Sequence, residues 1–294
     1  MPIAYGKDEV FIAWEAKDEF LHILSSKDGE NFTNEHTLHE RILKSTRPAI
    51  AFGKGLIFLA WVDHDEKVNV ISSPDGLYWS DKVTIAETSH RKCAPALTFG
   101  NDKLFLAWTG RDHKHHLNIT AFNVAEDGEL AEFSKLVLDE ETTGESGPAL
   151  AAGNGKIYLA WQGTDHHINI ISSINGKSFQ NKKVLKEDSP HTATPGLTFG
   201  NGYLYLSWIG HDEHLNLLSS TDGENWGSKV VVHEKSTTNG VAGLAFSEST
   251  KTLYLDWSGR DHEHHLNLIA FKFETDGTIP AEGKKTVLEA EAEK

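Results

Sequence analysis

Short apolar runs recur along the whole chain and are separated by polar turns. Six of them end in tryptophan: "VFIAW", "IFLAW", "LFLAW", "IYLAW", "LYLSW" and "LYLDW" close on Trp14, Trp61, Trp108, Trp161, Trp208 and Trp257. The intervals are 47, 47, 53, 47 and 49 residues. An aspartate follows each Trp by four positions: Asp18, Asp65, Asp112, Asp165, Asp212 and Asp261. A second apolar run then carries Asn, as in "LNI" and "LNL", with His22 in its place in the first copy. Another run lies upstream of the Trp ("RPAIAFG", "APALTFG", "GPALAAG", "TPGLTFG"), and a fourth downstream, as in "KVVVHE". Runs this short, rich in β-branched and aromatic residues and bounded by Gly, Asn and Asp, predict strands.

Each repeat therefore reads as four strands, a to d. The a–b and c–d joints carry Gly-Asn, Asn-Gly or Asp-Gly, residues that tolerate the positive φ of tight hairpins. Six copies of a four-stranded antiparallel unit predict an all-β, six-bladed β-propeller of one domain. The blades fall near 1–44, 45–91, 92–140, 141–188, 189–236 and 237–294. A coarser period lies above this one. "GRDHKHHLN" at 110–118 returns as "GRDHEHHLN" at 259–267, only in the third and sixth copies, and matching tryptophans lie 147, 147 and 149 residues apart. A doubled three-blade unit explains this. No strand exchange is visible, so closure is expected to rest on packing between blades.

Four copies carry a double-Ser turn: "SSKDGENF", "SSPDGLYW", "SSINGKSF" and "SSTDGENW". A Ser-x-Asp-Gly turn followed by an aromatic, between strands c and d, resembles the box of the Asp-box propellers, whose best-known members are sialidases. The resemblance spans the chain by architecture and four blades by motif, although here Gly follows Asp directly. It implies a hairpin fastener, with Asp accepting backbone N–H bonds, Gly at positive φ and the aromatic packed beneath, on the face away from an active site. It also implies an arginine cluster for a carboxylate and a Tyr/Glu nucleophile pair. The arginines are Arg41, Arg47, Arg91, Arg111 and Arg260, and "TRPAI" around Arg47 loosely follows the family's Arg-x-Pro pattern. Every tyrosine, however, has a place in the repeat: Tyr158, Tyr205 and Tyr254 replace a strand-b Phe, Tyr203 shares that strand, Tyr5 replaces a strand-a Phe, and Tyr78 lies in a box turn. No nucleophile is left over.

The b–c and d–a loops share the opposite face and carry the whole Trp-x-x-x-Asp series. Before each Asp stand Lys17, His64, Arg111, Thr164, His211 and Arg260; after it stand Glu19, Glu66, His113, His166, Glu213 and His262. Such a ring suits polyol recognition, since carboxylates accept from hydroxyls while Arg, Lys and His donate to them. Repetition adds avidity. Arg47 and Arg91 complete the candidate ligand-binding set, with the six Asp, His64, Arg111, His113, His166, His211, Arg260 and His262. The six Asp have a competing role as loop caps, and the six Trp as core between blades. In an extended segment His113 and His115 would point the same way, a partial metal-ligand set with Asp112. No Cys or Glu-x-x-His completes it, so neither metal nor cofactor is assigned.

Composition narrows the partners. A net charge of −15 and a pI near 5.5 argue against nucleic acid. No run approaches the roughly 20 apolar residues of a membrane span, and "MPIAYGKDEV" shows no signal-peptide pattern. The single Cys93 permits no intrachain disulfide. The expectation is a soluble glycan-binding protein of undetermined compartment and oligomeric state, a lectin without catalytic residues. Two other classes remain: a sialidase-like glycoside hydrolase, needing a deep asymmetric pocket with Arg47 or Arg91 and an acid pair, and a protein-binding scaffold, needing an apolar patch.

Overall fold

Each repeat forms one four-stranded antiparallel sheet in the order a-b-c-d, and the chain builds six of them. In this computed structural model the described residues are 2–33, 35–44, 46–237, 240–261, 264–273 and 278–291, with only the backbone of Glu289 and Glu291. Blade 1 runs from strand a (Ile3–Gly6) through b (Glu9–Glu15) and c (Phe20–Ser26) to d (His36–Arg41). The remaining blades span Ala49–Thr88, Ala96–Glu141, Ala149–Asp188, Gly196–Lys235 and Gly243–Glu291. The six strands a pack side by side around the axis, the first against the sixth, so the ring is closed. All four strands of every sheet are consecutive in sequence, and closure involves no exchanged strand.

What holds the ring is the tryptophan row. All six side chains are at most 3% exposed. Each indole packs into the preceding blade: Trp61 against Leu21 and Ile23, Trp108 against Phe58 and Val62, and Trp14, across the seam, against Leu266 and Leu268. Burying an indole removes about 150–250 Å² from water, a transfer gain of about 4–6 kcal/mol as an upper bound. The indoles are thus core, and their faces are closed to a ligand.

Nearer the axis, the recurring "FG" pair sets the blade spacing. A Cβ at Gly53 would lie 2.0 Å from the ring of Phe99, and one at Gly153 2.0 Å from that of Phe199. The aromatic of one blade therefore lies flat on the glycine of the blade before it.

The double-Ser turns fasten the a–b/c–d face. In blade 5 the Asp222 carboxylate accepts the N–H groups of Glu224 and Asn225, both at 2.8 Å, and Ser220 Oγ accepts that of Gly223, which has φ 82°. Trp226 packs below, against the blade 4–5 core. Blades 1, 2 and 4 repeat the arrangement around Asp28, Asp75 and Asn175. Hydrogen bonds from Asn31 and Asn225 lead in holding the Asp28 and Asp222 carboxyls well below the usual carboxylate range.

Candidate functional site

On the opposite face, each b–c loop has, among the described residues, one left-handed position: Glu19, Glu66, His115, His166, Glu213 and His264, with φ between 54° and 68°. Each donates its N–H back across a tight turn, as Glu66 does to Asp63 O at 2.9 Å and His115 to Asp112 O at 3.1 Å. In blades 1 to 5 its carbonyl also receives an N–H from just beyond strand d, as Glu66 O does from Ser89. The two extra residues of blades 3 and 6 shift this position, so His115 and His264 match Glu66, in place of His113 and His262. His113 and His115 are consequently not alternate residues of an extended strand, which corrects the geometry behind the partial metal set. Among the described residues no three His, Cys, Asp or Glu side chains converge as a metal would need. His262 lies outside the described residues.

The aspartate series caps these loops. Asp18 accepts the N–H of Phe20 at 3.0 Å, Asp165 that of His167 at 3.1 Å, and Asp212 that of His214 at 3.2 Å. Asp112 accepts from Lys114 N–H and lies 2.8 Å from His116 Nδ1; Asp261 treats His265 in the same way. In blade 2 the cap is Asp63, which accepts from Asp65 and Lys67, and Asp65 itself is exposed. Partial burial raises the Asp112 carboxyl, but the hydrogen bonds from Lys114 and His116 outweigh it and the net shift is downward; Asp18, Asp212 and Asp261 follow suit. Asp18, Asp112 and Asp261 remain 43–48% exposed, so each cap still offers oxygen to solvent.

Charged pairs bridge neighbouring blades above the caps. Arg111 of blade 3 is hydrogen-bonded to Glu66 of blade 2, whose side chain is only 12% exposed, and Arg91 approaches the same carboxylate at 3.9 Å. Half a ring away, Arg260 of blade 6 bonds Glu213 of blade 5, with Lys235 at 3.9 Å. His64 and His211 hold the Arg111 position in their blades and are exposed. Beside the first pair, Lys67, Glu87, Thr88, Arg111, Asp112 and Asn118 line an open cavity of about 560 Å³. Thr164, His113 and His166 border another, of about 700 Å³, between blades 3 and 4.

Arg47 is elsewhere. It lines the axial channel, a space of about 250 Å³ walled by strands a, as the one charged residue of the described lining. Burial lowers its pKa, and the charge of Glu15 raises it again. The structure thus separates Arg47 from the loop ring and leaves Arg91 beside Arg111. Tyr158, Tyr205 and Tyr254 are buried in the blades, and Tyr78 lies exposed on the far face.

Sequence reasoning placed Glu66 and Glu213 on the loop ring without naming them as ligand-binding residues, and it missed His90 and His191. A signal exists for each: the acid and the Arg of a pair are one repeat apart, and "SHRKCAP" and "SPHTATP" place a histidine a few residues before the strand-a proline.

No protein-family model and no curated protein matches the chain. Solved structures do. A substituted form of AofleA from Arthrobotrys oligospora superposes with a TM-score of 0.70 at 11% identity, over 98% of this chain and 88% of that one. A variant of the Aleuria aurantia lectin in complex with Fucα1-6GlcNAc gives 0.68 at 12%, over 99% and 95%. A lectin from Burkholderia pseudomallei gives 0.63 at 12%, over 95% and 79%. At these identities the likeness speaks for the six-bladed fold.

Proposed function

We propose that this protein binds glycans on its b–c/d–a face, at the boundaries between blades. The observation that carries the reading is the recurrence of a Glu–Arg pair bridging two blades, Glu66–Arg111 and Glu213–Arg260, each beside an Asp cap with exposed oxygen. A fixed carboxylate next to a fixed guanidinium offers acceptor and donor at the spacing of vicinal hydroxyls. Each pair is fixed by its own hydrogen bond across the blade boundary, so little ordering is lost on binding. The Asp series, His64, His211 and Arg91 extend the same polar rim. Structural likeness to lectins, one of them carrying a fucosyl disaccharide, points the same way.

The doubled three-blade unit accounts for two such sites half a ring apart, and two sites on one rigid body give avidity on a glycan-bearing surface. We read the Ser-x-Asp-Gly turns as relatives of the Asp-box fastener, with a structural role on the other face. Glycan-array binding of the intact protein, repeated with Arg111→Ala and Arg260→Ala together, tests the reading. Binding weakened on the order of tenfold or more is expected, the loss of one or two charge-assisted hydrogen bonds. Absence of binding to any glycan, or a variant that binds as the parent does, would refute it.

A further inference from the structure

Among the described residues, the cleft between blades 3 and 4 gathers more imidazoles than any other blade boundary. His113 and His115 enter it from the blade 3 loop, His166 from the blade 4 loop and His191 from the turn after strand d of blade 4. His90, from the turn after strand d of blade 2, lies behind, its ring edge-on to His115 at 4.7 Å, while His166 and His191 meet edge-on at 6.0 Å. The loop after strand d of blade 3 is shaped around His115: a Cβ on Gly144 would lie 2.5 Å from its ring. His115 Nδ1 is buried and has no hydrogen-bond partner among the described residues.

The lysines and glutamates facing this group pair with one another. Lys114 pairs with Glu141 at 2.8 Å; Glu145 takes Lys92 at 2.7 Å and His191 at 3.0 Å. Arg111 is turned to Glu66, and Asp112 and Asp139 lie on the His116 side of the loop. On blade 4, His167 pairs with Asp188 at 2.8 Å, and Asp165 caps its own loop. His113, His115 and His166 thus have no carboxylate partner within ion-pair reach among the described residues, in a cavity of about 700 Å³ that is roomy enough for a sugar ring or two.

We propose that this cleft is an acid-gated binding site for an anionic saccharide, whose carboxylate or sulfate is held by protonated imidazoles. The proposal rests on the glycan-binding reading and deepens it. With the lysine and glutamate charges already paired, any imidazole here that takes up a proton is a donor-only cation facing one cavity. An oxyanion bound among them favours their protonation, and by linkage their protonation favours the oxyanion. Burial first, and then the neighbouring His115, hold the His90 imidazole below its ordinary pKa, so His90 is assigned to packing behind the cleft.

The test is binding of a heparin-type sulfated oligosaccharide to the intact protein at about pH 5 and about pH 7.5, at fixed ionic strength. Sulfate groups stay ionised throughout, so the pH dependence belongs to the protein. A uronate oligosaccharide run alongside separates carboxylate from sulfate recognition. Binding on the order of tenfold tighter in acid is expected for the parent, and little pH dependence for His115→Gln with His166→Gln. The remote pair His39→Gln with His233→Gln should keep the parent's ratio, which separates the cleft from the general loss of negative charge. Thr164→Glu, on the exposed rim, should weaken acid binding while leaving every histidine of the cleft in place. Equal affinity at both pH values, or a cleft variant that retains the acid enhancement, overturns the proposal. Neutral-glycan binding lost through Arg111 and Arg260 reports on the first reading alone; the acid-to-neutral ratio reports on this one.

Discussion

Around the outside of the ring, strand d of each of blades 1 to 5 ties to the next blade by an ion pair in the same register. Glu40–Lys82, Glu87–Lys135, Glu140–Lys182, Glu187–Lys229 and Glu234–Lys285 join blades 1 to 6 in succession. Four of these lysines also lie over the indole of their own blade, Lys229 at 6.0 Å from Trp208 and Lys182 at 5.3 Å from Trp161. The pairs are half exposed, Lys229 at 42% and Glu187 at 27%, so each contributes about 0.5 kcal/mol, and the stacked ammonium about 0.5–1 kcal/mol more. Lys229→Met keeps most of the aliphatic stem and removes both charge effects. It should cost about 1–1.5 kcal/mol by urea denaturation at neutral pH, while Glu187→Gln should cost about 0.5 kcal/mol. A double-mutant cycle should recover a coupling of about 0.5 kcal/mol that fades in about 1 M salt. At the seam the tie is of another kind: Lys284 of blade 6 pairs with Glu30 of blade 1, while Ala290 holds the acid's place in the belt register, and Glu35, in the lysine's, is 2.8 Å from His22, whose ring is tilted against Trp14. Ala290→Lys, opposite Glu35, should therefore gain about 0.5 kcal/mol. Zero coupling between Lys229 and Glu187, or equal losses at low and high salt, would refute the belt as a source of stability.

Two further outcomes concern pH. The turn carboxylates of Asp28, Asp75 and Asp222 have depressed pKa values, so their stabilisation is full above the ordinary carboxylate range and is lost as pH falls through the folded values. Replacing all three by Asn, as blade 4 already has at Asn175, should leave a stability gap to the parent that is widest at neutral pH and narrows in acid, read from urea midpoints across that range. Asp256 has the opposite sign: burial pushes its carboxyl up to about 6, so its contribution is present below the ordinary value and lost as pH rises through the folded one. Relative to Asp256→Asn, the parent should lose up to about 3 kcal/mol between about pH 4 and pH 7, and a flat difference would sink the assignment.

The blade repeat, the tryptophan core and the fastening turns are legible in the sequence because each is local chemistry repeated six or four times. A continuous apolar run of strand length marks strand b, which is buried on both faces, and Asp or Asn followed by Gly specifies its own turn. The aspartate caps are legible for the same reason, with Asp63 in blade 2 as the exception that a fixed Trp-x-x-x-Asp spacing conceals. What the tertiary structure alone decided is which loops face one another. Glu66 meets Arg111 and Glu213 meets Arg260 because adjacent blades are pressed together by their indoles, a distance relation that no single repeat contains. Two inserted residues moved the left-handed position to His115 and His264, and only the backbone shows where an insertion is absorbed. Arg47 was drawn into the axial channel by its place at the start of strand a, away from the loop face its charge suggested. The imidazole cleft likewise brings together histidines from three blades and four loops, a grouping set by the closure of the ring.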